Sequence, residues 1–410
     1  MITEKEMDTT EKSQFIHVPY GKSVWGDAEK KAVMHVLDTS TQMGKHVYEM
    51  EARVATLFSK QHGIMVNSGS SANYLAVEIL DLPKGAEVIT PALTFSTTVA
   101  PIVKNGLVPA FIDVEPDTFN IDVNQIESMI TDNTKAMMIP NLLGNLPDWH
   151  EIRRIADHYH LLLIEDSADT LGAVIHDKNA GLLSDISTTS FYGSHVISCA
   201  GNGGMLCVNT DQLAQRAKLL RSWGRSSSLF VESEAIENRF SIAIDELQYD
   251  AKFIFETMGY NLEPSEMGAA FGLVQLDHLD KNIALRSEWF QKQFDFFKQH
   301  ESFFMLPKQL MHSKTGWLAF PLIVRDDAPF TRAQLQIFFE KRNIQTRTVF
   351  TGNILRQPGF KHIHCKKKEA YPNADQVMRG GILLACHQGL TDEMLHHVHT
   401  SFELFLRTML

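Results

Sequence analysis

The sequence predicts an α/β protein with a large domain built on a mostly parallel sheet, followed by a smaller C-terminal α+β domain. Short, continuously apolar strands alternate with helices along most of the chain, and this pattern changes beyond about residue 276. The length of 410 residues is also too great for one small core. We therefore expect an N-terminal arm over residues 1–25, a large domain over 26–275 and a small domain over 276–410.

The predicted large domain opens with helices. Helical periodicity follows Val24-Trp25-Gly26 and recurs from Val47 to Phe58. From there the chain alternates strand and helix up to Asp166, and a further helix is expected from Gln212 to Trp223. The clearest strands are expected at Ala86 to Pro91, Val108 to Val114, Lys135 to Pro140 and Leu161 to Asp166.

The C-terminal region has a different pattern. A helix from about Leu276 to Gln299 leads into strands expected in W-L-A-F-P-L-I-V and Q-T-R-T-V-F, mixed with two further helices. This mixture predicts the smaller α+β domain. Within it, we expect Lys366 to Lys368 to form a solvated loop. No metal site is expected at His396, His397 and His399, which have no acid or cysteine beside them.

The composition argues against several classes of protein. A net charge of −11 argues against nucleic-acid binding, because phosphate backbones require a basic surface. No apolar run is long enough to span a bilayer, and the charged N-terminus lacks the apolar region of a signal peptide, so we expect a cytoplasmic protein. The four cysteines show no C-x-x-C spacing, so we expect neither a disulfide framework nor a zinc site.

A Ser/Gly turn between a strand and a helix is the first candidate site. Ser68, Gly69, Ser70 and Ser71 place backbone N–H groups and hydroxyls at a helix N-terminus, where phosphate binds favourably. The same residues also suit an ordinary helix N-cap, and the local sequence does not distinguish the two roles.

Acidic residues after a buried strand form the second candidate site. Asp166 follows the apolar run L-L-L-I-E, and ligands bind at the carboxyl ends of strands in parallel sheets. A carboxylate there needs a partner such as a protonated ring nitrogen, an arginine, a metal or a helix N-terminus. Asp169 lies three residues further on, but no nearby His, Cys or acid completes a ligand shell, so we expect no metal.

The third candidate is His195. It lies in the segment S-T-T-S-F-Y-G-S-H-V-I-S-C-A-G-N-G-G, residues 187–204, where a small-residue turn and a Gly-rich stretch lead back to an apolar strand. Such a segment presents one polar side chain at a strand end. A histidine in apolar surroundings is also commonly a hydrogen-bonded core residue, so this segment alone leaves both roles open.

Ordered motifs along nearly the whole chain resemble one enzyme family. They are N-S-G-S-S-A, I-T-P-A-L-T-F, F-I-D-V-E-P-D-T-F-N-I-D, I-E-D-S-A-D-T-L-G-A, S-F-Y, G-N-G-G-M and G-Y-N-L. In order and spacing they resemble the sugar aminotransferase family named DegT/DnrJ/EryC1/StrS. The resemblance implies the fold type I architecture of enzymes that use pyridoxal 5′-phosphate (PLP). It also implies a homodimer whose active sites are shared across the interface.

His195 is the main departure from that family. At this position the aminotransferases have the lysine that binds PLP covalently, whereas this chain has no lysine between Lys178 and Lys218. A histidine here resembles the subgroup of nucleotide-sugar 3-dehydratases, which remove the oxygen at C-3. The L-G-N loop, Asp169 in place of the usual glutamine, and the motif G-N-I-L-R-Q-P-G-F agree with this subgroup.

The resemblance also separates two types of dehydratase. The CDP-sugar type carries an iron–sulfur cluster whose cysteines lie beside the E-D motif and after W-G-R. Those regions read Ser167-Ala168-Asp169 and Ser226-Ser227-Ser228-Leu229 here, and a [2Fe–2S] cluster needs four suitable ligands. We therefore expect the GDP-sugar type, without a cluster and without a reductase partner.

The dehydratase resemblance implies a role for each candidate residue. The substrate would be a nucleotide-linked 4-keto-6-deoxyhexose, and glutamate would convert PLP into the active pyridoxamine 5′-phosphate (PMP). Asp166 would keep the pyridine nitrogen protonated, and His195 would be the single base that passes a proton to the departing C-3 hydroxyl. The cofactor-binding residues would be Gly69, Ser70 and Ser190 on the phosphate, Phe95 stacked on the ring, Asp169 beside it, and Asn261 of the neighbouring subunit on the phosphate.

Two other interpretations stay open. The chain could be a relative that lost its lysine and acts as a non-catalytic binding or regulatory protein, or an aminotransferase with a single Lys-to-His change. Ala168, Asp169 and the L-G-N loop favour a dehydratase over a one-site change. The sequence leaves open whether the nucleotide is GDP, CDP or dTDP. The family resemblance implies that the product is a 4-keto-3,6-dideoxyhexose. This sugar would be incorporated into a surface polysaccharide, such as lipopolysaccharide O-antigen, or into a glycosylated natural product.

Overall fold

Seven strands form the central sheet of the large domain. The computed structural model describes residues 15–230 and 232–409. The strands are β1 (His62–Val66), β2 (Glu87–Pro91), β3 (Val108–Ile112), β4 (Thr134–Pro140), β5 (Leu162–Asp166), β6 (Ile186–Ser190) and β7 (Gly204–Val208). Their spatial order is β1-β7-β6-β5-β4-β2-β3, in which β7 is antiparallel to both neighbours and every other pair is parallel. The predicted α/β class with a mostly parallel sheet is confirmed.

Helices cover both faces of this sheet. The main helices of the large domain are α1 (Asp27–Thr39), α2 (Lys45–Leu57), α3 (Gly69–Glu78), α4 (Ser96–Lys104), α5 (Trp149–Tyr159), α6 (Asp211–Arg221) and α7 (Glu266–Asp277), and α1 packs against α7. Met137 of β4 shares a buried cluster with Trp149 of α5, whereas the next residue, Met138, shares one with Leu75 of α3. Successive side chains of a strand point to opposite faces, so a strand covered on both sides is apolar at every position.

An antiparallel sheet organises the C-terminal region. Its elements are α8 (Leu279–Lys298), β8 (Phe304–Met305), β9 (Ala319–Val324), α9 (Arg332–Lys341), β10 (Arg347–Thr348), α10 (Pro372–Gly380), β11 (Gly381–Ala385) and α11 (Asp392–Met409). The strand order is β8-β9-β11-β10. These elements are of the α+β type expected there, while the exact domain boundaries stay a prediction. Among the described helices, none is both long and apolar enough to cross a bilayer.

Shorter elements lie outside the two main sheets. One three-stranded sheet joins the large domain to the segment before β9, and a two-stranded hairpin follows a short helix before α7. Their bounds are Val174–Ile175, Lys178–Asn179 and Ser313–Lys314 for the three-stranded sheet, Ile236–Arg239 for the helix, and Ile242–Ile244 and Leu247–Tyr249 for the hairpin.

Backbone pairing joins the C-terminal region to the edge of the central sheet. The Lys366 N–H donates to the Pro109 carbonyl, and the Lys366 carbonyl accepts from the Phe111 N–H, both at 2.9 Å. Lys366 Nζ also donates to the Met129 carbonyl at 2.7 Å. The expectation of a solvated lysine loop is therefore wrong for Lys366, because the unpaired edge of β3 offers hydrogen bonds that this segment satisfies.

The described part of the N-terminal arm lies against the small domain. The Val18 N–H donates to the Asn343 carbonyl at 3.0 Å, and the Gln345 N–H donates to the Val18 carbonyl at 2.9 Å. The Tyr20 N–H donates to Gln345 Oε1 at 3.1 Å. Residues 1–14 of the predicted arm lie outside the described residues.

Candidate active site

A cavity of about 450 Å³ lies at the carboxyl edge of the central sheet. The ends of β4, β5 and β6, the N-terminus of α3 and the loop that carries His195 all border it. Within the described residues, seven of the eight predicted site residues line this cavity, whereas Asn261 lies elsewhere. The seven are Gly69, Ser70, Phe95, Asp166, Asp169, Ser190 and His195.

Neutral donors hold Asp166 at the end of β5. Asn73 Nδ2 and Thr98 Oγ1 each donate to Asp166 Oδ2 at 2.8 Å, and the Ala168 N–H donates to Oδ1 at 3.2 Å. Burial raises the pKa of Asp166, and these hydrogen bonds oppose the rise. A buried carboxylate held only by neutral donors attracts a cationic group placed in the cavity.

The imidazole of His195 is held as a neutral base. Its Nδ1 lies 3.1 Å from the Ser190 carbonyl oxygen, which can only accept, so Nδ1 carries the proton and Nε2 keeps its lone pair. Burial lowers the pKa of His195 to about 4, against the opposing effect of the hydrogen bond to Ser190. Nε2 is therefore free to accept a proton at neutral pH.

Asp169 faces the unprotonated nitrogen of His195. Its Oδ1 lies 3.8 Å from His195 Nε2, and its Oδ2 accepts from the Leu143 N–H at 3.0 Å. Burial, together with the neighbouring charge of Asp166, raises the pKa of Asp169 to about 7. The charge state of Asp169 is therefore sensitive to any charge that enters the cavity.

The L-G-N loop after β4 brings the Leu143 N–H to Asp169. Leu143 and Gly144 have φ angles of 60° and 88°. A Cβ added at Gly144 would lie 3.1 Å from Trp317 Cα and 3.3 Å from the Asp169 carbonyl oxygen. Glycine is needed here because the backbone is left-handed and passes close to both neighbours. The loop noted in the sequence thus supports a predicted site residue.

The turn before α3 caps that helix and also borders the cavity. Ser68 Oγ accepts from the Ser71 N–H at 3.1 Å and so caps the helix. Gly69, Ser70 and Ser190 line the cavity beside this helix N-terminus, where a phosphate binds favourably. A Cβ at Gly69 would lie 2.5 Å from Ser190 Cβ, so only glycine allows this close approach of α3 and β6.

Aromatic side chains from distant parts of the chain complete the cavity. Phe95 is 49% exposed and lies edge-to-face with Phe350, with ring centroids 5.8 Å apart. Phe350 belongs to the small domain and has an unusual φ of 41°. Tyr20 reaches the cavity from the arm, and burial raises its pKa. Sequence reasoning missed both Tyr20 and Phe350; the available signal for Phe350 was the neighbouring motif G-N-I-L-R-Q-P-G-F.

Acidic rather than basic side chains line the cavity. Among its described lining residues, Asp166 and Asp169 carry the carboxylates, and no lysine or arginine borders it. The described ranges also bring no three His, Cys, Asp or Glu side chains together in a way that could hold a metal. This lining suits a cationic ring nitrogen near Asp166.

Asn261 lies outside the cavity of its own chain. It is exposed, its backbone forms a bridge with Ser222, and its Oδ1 accepts from the Glu263 N–H at 3.4 Å. Its expected contact with the phosphate in a neighbouring subunit stays a prediction.

Comparison with known proteins shows the family. The model of the DegT/DnrJ/EryC1/StrS aminotransferase family matches residues 25–403. The chain belongs to this family. A relative from Saccharopolyspora spinosa, dTDP-4-dehydro-2,6-dideoxy-D-glucose 3-dehydratase, is 34% identical over 95% of this chain and 86% of its own length.

Solved structures agree with this assignment. Escherichia coli GDP-4-keto-6-deoxy-D-mannose-3-dehydratase with bound hydrated PLP has a TM-score of 0.85 and 30% identity, over 94% of this chain and 99% of its own. A GDP-4-keto-6-deoxymannose-3-dehydratase with a trapped PLP–glutamate geminal diamine has a TM-score of 0.84 and 30% identity, over 94% and 100%. The predicted fold type I architecture is confirmed.

The residues of the cavity fit PLP and its amine form, PMP. The N-terminus of α3 with Ser190 suits the phosphate, Asp166 suits a protonated ring nitrogen, and the exposed ring of Phe95 offers a stacking surface. With no lysine among the described lining residues, the covalent attachment expected in the aminotransferases has no partner here.

Proposed function

We propose that this protein is a PMP-dependent nucleotide-sugar 3-dehydratase, which removes the C-3 oxygen of a nucleotide-linked 4-keto-6-deoxyhexose. The observation that carries this proposal is the neutral His195, placed where the aminotransferases have their PLP-binding lysine, in a cavity otherwise suited to the cofactor. A lysine would capture PLP and favour transamination, whereas an imidazole leaves the cofactor free.

The proposed roles follow from the protons that each residue holds. As PMP, the cofactor supplies an amine for the C-4 ketone and, when its ring nitrogen is protonated, an electron-accepting ring. Asp166 keeps that nitrogen protonated, because its buried carboxylate has only neutral donors and favours a cation. His195 takes a proton at Nε2 and returns it to the departing C-3 hydroxyl, while Nδ1–H stays on the Ser190 carbonyl.

We assign Asp169 to the same step. Its Oδ1 lies 3.8 Å from His195 Nε2 and would stabilise the imidazolium while it holds the proton. A cationic ring beside Asp169 would favour its charged form. The carboxylate would then face the base during proton transfer.

The substrate class and amino donor rest on the relatives. A dTDP-sugar and a GDP-sugar 3-dehydratase both resemble this chain, which supports a nucleotide-linked 4-keto sugar and leaves the nucleotide open. The PLP–glutamate adduct in one related structure supports glutamate as the donor that converts PLP into PMP. The product would be a 4-keto-3,6-dideoxyhexose for a surface polysaccharide or natural product.

A homodimer with shared active sites belongs to this proposal. The exposed Asn261 is free to reach a second copy, and the described lining offers no basic side chain for a nucleotide diphosphate. Trp25 and Leu37 are 54% and 52% exposed, which provides apolar surface for an interface. Replacing Asn261 by alanine should weaken PLP binding while sedimentation still reports a dimer; unchanged PLP affinity would contradict the assigned role.

We also propose that no iron–sulfur cluster takes part. Ser167 Oγ, beside the expected position of a cluster cysteine, donates to Glu165 Oε1 at 2.6 Å, and Ser226 Oγ donates to Glu256 Oε1 at 2.6 Å. These hydroxyls already have partners and are poor iron ligands. Turnover without added reductase, by protein free of iron and sulfide, would support this; a strict need for a reductase would contradict it.

The first half-reaction separates an enzyme from a non-catalytic relative. Glutamate added to PLP-loaded protein should convert the absorbance of PLP into that of PMP and release 2-oxoglutarate. His195→Asn should bind PLP yet lose dehydration by about 10²–10⁴-fold, the usual contribution of a general base. The matched control is His396→Asn, at an exposed position on α11. Wild-type protein that binds PLP but ignores glutamate would favour the non-catalytic interpretation.

A further inference from the structure

Arg286 of α8 is a fully buried arginine whose hydrogen-bond partners are all neutral oxygens. Its side chain is 0% exposed. Nε donates to Gln388 Oε1 at 2.9 Å, and the two terminal nitrogens donate to five backbone carbonyls at 3.0 to 3.2 Å. Burying a cation is unfavourable unless its N–H groups are satisfied, and here they bind carbonyls that must lie close together.

The five carbonyls come from two separate parts of the chain. Nη2 donates to the carbonyls of Ser194 and His195, in the loop between β6 and β7. Nη1 donates to the other three, near the start of β9 and directly after β11 in the small domain. These three are the carbonyls of Trp317, Leu318 and Cys386. One guanidinium therefore joins the loop that carries the proposed base to the small-domain sheet.

We propose that Arg286 is a positioning residue that fixes the His195 loop against the small-domain sheet and so aims His195 Nε2 into the cavity. This inference rests on the proposed role of His195 as the base. Two more side chains support the same loop, since Asn282 Nδ2 and Gln388 Nε2 donate to the Val196 carbonyl at 3.0 and 3.3 Å. The loop is thus held by its backbone, which leaves the imidazole free to exchange protons.

The charge of Arg286 acts on His195 as well. A nearby guanidinium disfavours the imidazolium, and this effect has the same direction as the burial that lowers the pKa of His195. Lysine at this position would keep the charge but has one nitrogen with three donors, too few to bind both sets of carbonyls. Among the described residues that line the cavity with His195, the other titratable groups are Asp166 and Asp169 from the large domain, Tyr20 from the arm and Tyr192 from its own loop.

The first test uses the cofactor-free protein. Nitrogen-15 NMR of labelled histidines, with His195 assigned from the His195→Asn variant, reports the tautomer and pKa of the ring. Arg286→Gln should raise the pKa of His195 and shift its ring resonances, whereas Arg286→Lys should leave that pKa low because the charge is kept. Arg153→Gln, which removes an arginine that pairs with Asp157 and Asp185 on another face, should change neither signal.

The second test measures the rate at which the PLP-loaded protein, supplied with glutamate, dehydrates the nucleotide sugar. Arg286→Lys should lower kcat about tenfold or more with unchanged PLP affinity, because small misplacements of a reacting group are costly. A folded Arg286→Gln that leaves the His195 resonances unchanged, or an Arg286→Lys with wild-type kcat, would overturn the inference. If His195→Asn itself keeps dehydration, the proposed function fails instead, and the NMR result on Arg286 still stands by itself.

Discussion

His195 Nε2 lies 3.8 Å from Asp169 Oδ1, and the two side chains have exchanged their usual order of proton affinity. The pKa is about 4 for the imidazole and about 7 for the carboxyl group, whereas in water the carboxyl group is the stronger acid. Burial causes both shifts by disfavouring each charged form. In the cofactor-free protein the pair is therefore most stable with a neutral His195 and the proton on Asp169.

The low pKa of His195 predicts a loss of stability in mild acid. The unfolded histidine binds a proton below its usual pKa near 6.5, while the folded one resists until about 4. The contribution of His195 to the free energy of unfolding is therefore complete above pH 6.5. It falls by about 3 kcal/mol as the pH drops to about 4. Urea unfolding of the cofactor-free wild type and of His195→Asn between pH 7.5 and 4.5 measures this contribution. The other buried histidines titrate in both proteins, so their effect cancels in the difference. Parallel curves would refute the assigned environment.

The raised pKa of Asp169 predicts the opposite slope. Its stabilising contribution is complete below the usual value of 3.8 and is lost as the pH rises through about 7. Relative to Asp169→Asn, cofactor-free wild type should lose about 3 kcal/mol of unfolding free energy between pH 5 and 8.5. Chemical unfolding at pH 5 and 8.5 measures the difference. Asp177→Asn, at an exposed position, should not reproduce it; a pH-independent gap for Asp169→Asn would contradict the account.

The close contact between Gly69 and Ser190 predicts that a substitution at Ser190 compensates for one at Gly69. Gly69→Ala places a Cβ 2.5 Å from Ser190 Cβ, so it should open the turn, lower stability by about 1–3 kcal/mol and weaken PLP binding. Adding Ser190→Gly removes the clashing atom. A double-mutant cycle should therefore show that the double variant recovers stability relative to Gly69→Ala. Additive losses would mean that the close approach is unimportant.

Gly144 and Gly85 are both left-handed, but we expect their substitution by alanine to cost different amounts of stability. Both have positive φ, 88° and 84°, but only at Gly144 does an added Cβ meet neighbours within 4 Å, among them the Asp169 carbonyl. Gly144→Ala should therefore cost about 1–3 kcal/mol more than Gly85→Ala. It should also reduce dehydration, because the loop holds the Leu143 N–H on Asp169. If Gly144→Ala and Gly85→Ala lost equal stability and equal activity, the loop would not be supporting Asp169.

Much of the site could be predicted from the sequence because its residues lie on short, regular elements. Asp166 ends an apolar strand and Gly69 begins a helix, and both positions carry a physical reason for ligand binding. His195 needed the ordered motifs, since its own segment also suits a core histidine. The L-G-N loop was visible as a motif, but its contact with Asp169 was not, because it depends on a left-handed Leu143.

The residues that the sequence did not predict lie far along the chain from the rest of the site. Tyr20, Phe350 and Arg286 reach the site or its supporting loop from the arm and the C-terminal region, through pairings between residues far apart in sequence. No local periodicity encodes such contacts. Lys366 was misjudged for the same reason, since its backbone pairing depends on the distant strand β3. A single chain also leaves the role of Asn261 to experiments on the assembled protein.

Product analysis by mass spectrometry tests the central claim most directly. Purified protein with PLP and glutamate is given GDP-, CDP- and dTDP-linked 4-keto-6-deoxyhexoses without added reductase. We expect one of these nucleotide sugars to give a product that lacks the C-3 oxygen, while glutamate is converted into 2-oxoglutarate. His195→Asn should not form this product. A product that gains an amino group and keeps its C-3 oxygen would contradict the role assigned to His195.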